Sequence, residues 1–128
     1  WYKLMGNNGT NPVCALSLST IGEILGDEDG YELSRTLMAE AIAVGRAEGA
    51  NVTEERIELQ LEGIKKHPNA FKIKPSTLQD LEKGKRLEHD GICGAVVRAA
   101  ARHNIPVPAT KTVFALLKMI DARIRERN

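Results

Sequence analysis

Apolar residues recur along this chain three and four positions apart, the period of an amphipathic helix, almost from end to end. Leu4, Val13, Leu16, Leu18, Ile21 and Leu25 mark a first segment from about Trp1 to Leu25. Gly6, Gly9 and Pro12 interrupt its first half. Pro12 has no N–H and crowds the carbonyl one turn earlier, so a kink or break is expected near Asn8. Gly26-Asp27 closes the segment and opens the next. A second helix is predicted over 28–48, with Leu33, Leu37, Ala41 and Val44 on its buried face and Gly49 as its stop. A third, over 53–66, turns Ile57, Leu61 and Ile64 inward before His67-Pro68-Asn69 forces a loop.

Ser76 and Gln79 stand three residues apart, as the N-cap and N3 positions of a capping box do. The short helix they would start closes at Gly84. A longer helix over 87–103 is expected to bury Ile92, Ala95, Val96 and Ala99, with Asn104 as its left-handed cap. Ile105-Pro106-Val107-Pro108 must be extended, and a last helix over 110–127 buries Val113, Leu116, Leu117 and Ile120. There is no internal repeat, low-complexity tract or strand pattern. The predicted class is all-α, a bundle of five to six helices around one core, with residues 1–128 forming a single domain.

Composition narrows the function classes. Hydrophobic residues at 42% and charged residues at 27% are ordinary globular values, and no apolar run approaches the roughly 18 residues of a membrane-spanning helix. A net charge of +1 with alternating signs offers no basic stripe for nucleic acid, and aromatics at 4% leave too few rings for a base-stacking platform. Cys14 and Cys93 are far apart and read as small buried thiols, which suits a reducing cytoplasm. His67, His89 and His103 lack metal-ligand spacing, so no metal site is expected. The start Trp1-Tyr2-Lys3-Leu4 has no initiator Met and no signal-peptide pattern. It reads as a point within a longer chain, with residues expected before Trp1.

The row Lys3, Asn7, Asn11 is the first candidate for chemistry. At four-residue spacing each step turns about 40°, so the three side chains share one helix face. Asn is a poor helix former, whereas its amide both donates and accepts hydrogen bonds, and Lys carries a transferable proton. Such a row suits a small polyoxygenated substrate; it equally suits a solvated helix face. Ser76 reads as an N-cap, and Glu88 and Asp90 as first-turn residues favoured by the helix dipole. There is no GxGxxG after a strand, no GxxxxGK[ST] and no GxSxG, and the Gly6/Gly9 and Gly91/Gly94 pairs lack a βαβ setting. The chain alone should not hold a dinucleotide.

Taken in order, these pieces resemble the C-terminal domain of the ketopantoate reductases (2-dehydropantoate 2-reductases). The matching stretches are Trp1-Tyr2-Lys3-Leu4 with Asn7 and Asn11-Pro12, then Ala15-Leu16 and Gly22-Glu23-Ile24-Leu25. They continue through the block Ser76-Thr77-Leu78-Gln79-Asp80-Leu81-Glu82-Lys83-Gly84 and Glu88-His89-Asp90. Gly94-Ala95-Val96-Val97-Arg98 and His103-Asn104-Ile105-Pro106-Val107-Pro108 complete the run.

The resemblance implies the helical C-terminal domain of a two-domain, Rossmann-type enzyme of pantothenate and coenzyme A biosynthesis. Its own N-terminal nucleotide-binding domain, absent from this chain, would hold NADPH, and its substrate would be a 2-keto acid. It implies Lys3 as the general acid, Asn7, Asn11 and Ser76 as substrate-binding residues, and Glu88 on the cofactor side. A cytoplasmic enzyme is expected, with a homodimer among its expected assemblies and no nucleic-acid or membrane partner. Ile21 stands where some members carry a substrate-binding Asn, Cys93 replaces an Asn before Gly94, and His89 and Gly91 are unusual in their segment. These departures keep open a related reductase of another 2-keto acid, alongside a non-catalytic helical dimerisation module.

Overall fold

The computed structural model describes residues 1–127, which form seven α-helices and one 3₁₀ turn, with no strand among the described residues. The helices are α1 (Tyr2–Ser17), α2 (Ile21–Gly26), α3 (Glu28–Ala47), α4 (Glu55–Lys65), α5 (Ser76–Glu82), α6 (Cys93–Arg102) and α7 (Pro108–Arg127). The 3₁₀ turn, Ala70–Lys72, lies between α4 and α5. The all-α class is the one the periodicity predicts. None of these helices is long and apolar enough to cross a membrane.

The first predicted segment is two helices, and it divides at Leu18 rather than near Asn8. Pro12 sits inside α1, which runs past it without interruption. Its missing N–H removes one bond to the Asn8 carbonyl, and packing of α1 against α3, α5 and α7 holds the rest of the ladder. At Leu18 the backbone turns left-handed (φ 56°), and the Ser19 N–H donates to the Cys14 carbonyl at 3.0 Å. A capping box then starts α2: the Glu23 N–H donates to Thr20 Oγ1 (3.3 Å) and the Thr20 N–H donates to Glu23 Oε1 (2.9 Å). Thr20's N–H and hydroxyl hold the Glu23 carboxyl below its ordinary range.

The capping box expected at Ser76 does not form. Pro75 takes the cap position, Ser76 is already helical, and Gln79 Nε2 donates to the Lys74 carbonyl at 2.7 Å. The sixth helix likewise begins only at Cys93. The Leu87 N–H is taken by Asp121 Oδ1 of α7 at 3.0 Å, and Ile92 is non-helical (φ −107°, ψ −85°), so residues 87–92 form a loop. Glu88 and Asp90 therefore lie outside the helix whose first turn they were expected to occupy. Asn104 is left-handed as expected (φ 53°). The last helix begins at Pro108, where a fixed φ and a missing N–H suit the first helical position.

Several buried faces are rotated from the predicted ones. In α3 Leu37, Ala41 and Val44 are buried, whereas Leu33 is 37% exposed and Ser34, Met38 and Ile42 take the interior. In α7 Leu117 and Val113 are buried, Leu116 is 43% exposed and Ile120 is half-buried. Two polar residues set that rotation, Thr110 and Asp121, both buried and bonded to other parts of the chain. In α4 Ile57 and Leu61 are buried with Ile64 at the margin; in α6 Val96 and Ala99 are buried and Ala95 is half-buried, as is Ile92 just before the helix.

Cys14 and Cys93 are buried free thiols, as expected. Burial pushes both up to about 12, Glu23 adding to the effect at Cys14, so neither is a nucleophile near neutral pH. No His/Cys/Asp/Glu group among the described residues could hold a metal ion.

Gly9 sets how closely α1 meets α3. A Cβ there would lie 2.4 Å from Met38 Cγ and 3.1 Å from the Ser34 carbonyl oxygen. Gly9→Ala should therefore cost about 1–3 kcal/mol through overpacking. Gly63→Ala, where a Cβ on α4 meets nothing within 4 Å, should stabilise by up to about 1 kcal/mol. Urea unfolding of both variants checks this, and equal effects would contradict the close α1–α3 contact.

Candidate active site

The row Lys3, Asn7, Asn11 lies along α1 and sinks into the protein from one end to the other. Lys3 is exposed, Asn7 half-buried and Asn11 only 6% exposed. The cause is helix geometry. Asn8 marks the deeply buried face of α1, and each four-residue step of the row rotates it by about 40° toward that face. A charged head thus stays in solvent while the two amides reach progressively inward.

Asn8 is fixed by its neighbours. Its Nδ2 donates to the Leu37 carbonyl of α3 (3.0 Å) and to Thr110 Oγ1 of α7 (3.3 Å). The Thr110 hydroxyl and N–H both donate to Glu40 Oε1 (2.6 and 2.7 Å), and the Ala109 N–H donates to Glu40 Oε2 (3.0 Å). A carboxylate from α3 therefore caps the first turn of α7, where the helix dipole favours negative charge.

Ser76 is brought to the same helix. α5 packs on α1 through the buried Thr77 and Leu78, leaving Ser76 exposed at its start. Asn8 Oδ1, Asn11 Oδ1 and Thr77 Oγ1 are all buried without a hydrogen-bond partner among the described residues. A buried acceptor left unmatched is costly, and such groups in native proteins call for an explanation.

Glu88 is placed differently, on the loop between α5 and α6, and its side chain is exposed. The loop is pinned at both ends. Before it, Leu87 is held by Asp121, which also pairs with Arg125 Nε at 3.2 Å. After it, the Gly94 N–H donates to the His89 carbonyl (3.0 Å), and Arg98 donates to the Asp90 carboxylate (2.9 Å) and carbonyl (3.0 Å). The His89 ring leans on Phe114 of α7 at 5.7 Å between centroids.

Among the described residues, no side-chain hydrogen bond or ion pair engages Lys3, Asn7, Asn11, Ser76 or Glu88. The structure groups Lys3, Asn7 and Asn11 on α1, sets Ser76 on the helix packed against it, and holds Glu88 on a loop anchored to α7, which α1 also contacts. One surface cavity, of about 580 Å³, is lined by Asp27, Tyr31, Glu62 and Lys65 and by no residue of the row. The Lys3 end of the row faces outward and the Asn11 end is buried.

The supporting residues Asn8, Glu40, Thr110, Thr77 and Asp121 are absent from the sequence-level candidates. Asn8 is one position from Asn7, and its burial shows only once the rotation of α1 is known. Thr20-Ile21-Gly22-Glu23, by contrast, carries the capping-box spacing openly.

No glycine-rich turn between a strand and a helix exists among the described residues, which therefore offer no cradle of that kind for a pyrophosphate. Glu88 is an exposed carboxylate, a group that accepts hydrogen bonds from hydroxyls.

Residues 1–121 match the family model described as ketopantoate reductase PanE/ApbA C terminal. The chain is 36% identical over 121 residues to the 2-dehydropantoate 2-reductase of Mesorhizobium japonicum, covering 94% of this chain and 36% of that protein. It is 33% identical over 123 residues to the enzyme of the same name from Streptococcus pyogenes, covering 95% and 39%. A dimeric ketopantoate reductase from Staphylococcus aureus superposes with a TM-score of 0.88 at 27% identity, over 97% of this chain and 43% of that one. A PanE/ApbA family ketopantoate reductase from Ralstonia eutropha gives 0.86 at 32% identity, over 98% and 41%. The chain thus spans well under half the length of the relatives it matches.

Removing the anchor of the Glu88 loop tests the loop's dependence on α7. Asp121→Ala should cost about 1–3 kcal/mol by leaving the buried Leu87 N–H unpaired, whereas Asp121→Asn, which keeps an acceptor, should cost less. Urea unfolding measures both, and an unchanged Asp121→Ala midpoint would contradict the anchor.

Proposed function

This chain belongs to the ketopantoate reductase family, whose C-terminal domain it matches, and we propose that it is the substrate-binding and proton-donating half of an NADPH-dependent 2-keto acid reductase. Ketopantoate, reduced to pantoate on the way to pantothenate and coenzyme A, is the first substrate to consider; a related 2-keto acid is the second. The observation that carries the reading is the row on α1: an exposed ammonium, then two amides of rising burial, none with a side-chain hydrogen bond or ion pair among the described residues and one with an orphaned buried oxygen.

The residues suit carbonyl reduction. The reduced nicotinamide, when bound by the N-terminal domain, supplies a hydride to the carbonyl carbon. Negative charge then develops on the carbonyl oxygen, where the Lys3 ammonium can stabilise it and donate a proton, leaving a neutral amine that regains its proton from water. Asn7 and Asn11 present donors and acceptors for the carbonyl and carboxylate of the substrate, and the Ser76 hydroxyl adds a further contact. Glu88 would face the cofactor's side of the cleft. The domain alone should be inactive, because its described residues hold no nucleotide site.

Assembly belongs to the same proposal. The Staphylococcus aureus relative is described as dimeric, and α7 leaves Leu116 and Met119 exposed, so a homodimer is the expected state of the complete enzyme.

In the complete enzyme, Lys3→Ala should lower kcat for ketopantoate, or for any other 2-keto acid it accepts, by at least about 10²-fold. Steady-state kinetics with NADPH measure this. A near-normal kcat would remove Lys3 from the role of general acid.

A further inference from the structure

We propose that Arg98 is a positioning residue for Glu88: through Asp90 it fixes the loop that presents the Glu88 carboxylate, and so raises the affinity of the complete enzyme for NADPH. The inference rests on Glu88 meeting the cofactor, as in the reading above, and adds to that contact the device that holds it in place.

The loop between α5 and α6 is held on both sides of Glu88. Before it, the Leu87 N–H donates to Asp121 Oδ1 of α7 (3.0 Å). After it, the His89 carbonyl accepts from the Gly94 N–H of α6 (3.0 Å). Arg98 of α6 then grips Asp90 twice, Nη1 donating to Asp90 Oδ1 (2.9 Å) and Nη2 to the Asp90 carbonyl oxygen (3.0 Å). One guanidinium therefore ties both the side chain and the main chain of Asp90 to the helix. That pairing uses the planar, two-pronged geometry of arginine, which the point charge of a lysine does not reproduce.

The helix leaves room for this bridge at Gly94. A Cβ there would lie 2.8 Å from Asp90 Oδ1, 3.0 Å from Arg98 Nη1 and 3.1 Å from Phe114 Cζ. The bridge thus rests against bare backbone of α6, beside the ring on which His89 leans.

Stability does not account for the arrangement. The Arg98 and Asp90 side chains are 55% and 73% exposed, and an ion pair so open to water adds little to the fold. What two bonds from one rigid group supply is order: the backbone next to Glu88 is set before a ligand arrives. Glu88 has no side-chain partner among the described residues, so that order serves no contact within the chain. A contact group held in place beforehand spares binding the loss of its freedom, an effect of roughly 3- to 10-fold in affinity for one side chain.

Titration of the complete enzyme with NADPH, followed by the cofactor's fluorescence, tests this. Arg98→Ala and Arg98→Lys should each raise the Kd for NADPH by roughly 3- to 10-fold. The kcat at saturating NADPH and the urea midpoint should stay near those of the parent. Arg98→Lys keeps the charge, so parental affinity in that variant overturns positioning by the two-pronged bond. Asp90→Ala, at an exposed position, should match Arg98→Ala and carries the expectation if the latter fails to fold. A double-mutant cycle with Glu88→Ala decides the route. In the Glu88→Ala background, Arg98→Ala should change the Kd no further; an equal loss there shows that Arg98 acts without Glu88 and overturns the proposal. Should Glu88→Ala alone leave the Kd unchanged, Glu88 does not meet the cofactor, and the reading beneath the proposal fails with it. A weakened Glu88→Ala enzyme alongside unchanged Arg98 variants overturns the positioning role and leaves that reading standing.

Discussion

The buried amide of Asn8 holds the middle of this bundle together. It donates to the Leu37 carbonyl on α3 and to Thr110 Oγ1 on α7, and Thr110 passes the connection on to Glu40, again on α3. Three helices are thereby tied at one point by hydrogen bonds sheltered from water, where such bonds are stronger than at the surface and losing one partner is expensive. The network also has a directional consequence. A helix whose buried amide nitrogen is bonded to fixed partners on two other helices resists rolling about its axis, which fixes the angular position of the other residues on α1. Gly9, against Met38, settles its distance from α3 in the same way.

The candidate site follows from that constraint. With Asn8 inward, helical rotation alone makes Lys3 exposed, Asn7 intermediate and Asn11 buried. The candidate site is therefore graded: an exposed charged head at one end, a half-buried amide, and a buried amide at the other end. Preorganised amides lose little freedom on meeting a substrate, which is where positioning gains its effect. The remaining parts come from separate anchors. α5 brings Ser76 to α1, Asp121 of α7 holds the start of the Glu88 loop, and the Ile21–Ile73 backbone bond closes the corner between α2 and α5. Much of the supporting chemistry is polar, yet little of it lies on the surface.

The period of three and four in the apolar residues was enough to show an all-α chain and most of its helices, because burial of a continuous stripe is a strong local signal. It was not enough to find the faces of α3 and α7, where Leu33 and Leu116 are exposed and Ser34, Thr110 and Asp121 are buried. Those rotations are decided by long-range partners that no local window contains. Pro12 misled for the same reason: tertiary packing on three sides of α1 outweighs the loss of one backbone bond. The true break, at Leu18, depends on a left-handed backbone at a residue with no intrinsic taste for it. Lys3, Asn7 and Asn11 were visible as a row, but their graded burial was not, because it depends on how α1 is rotated in the bundle. Ser76 and Glu88 entered as site residues through resemblance alone, and the N-cap and first-turn positions that spacing offered them are not the ones they occupy.

The central claim is that Asn7 and Asn11 meet the substrate while Asn8 serves the fold, and side-chain amide NMR of the complete enzyme labelled with [15N]asparagine separates the two. On adding a 2-keto acid in the presence of NADP, the Asn7 and Asn11 amide resonances should shift, Asn11 gaining the partner its buried oxygen lacks, while the Asn8 resonance stays in place. Movement of Asn8 together with still resonances from Asn7 and Asn11 would contradict the account.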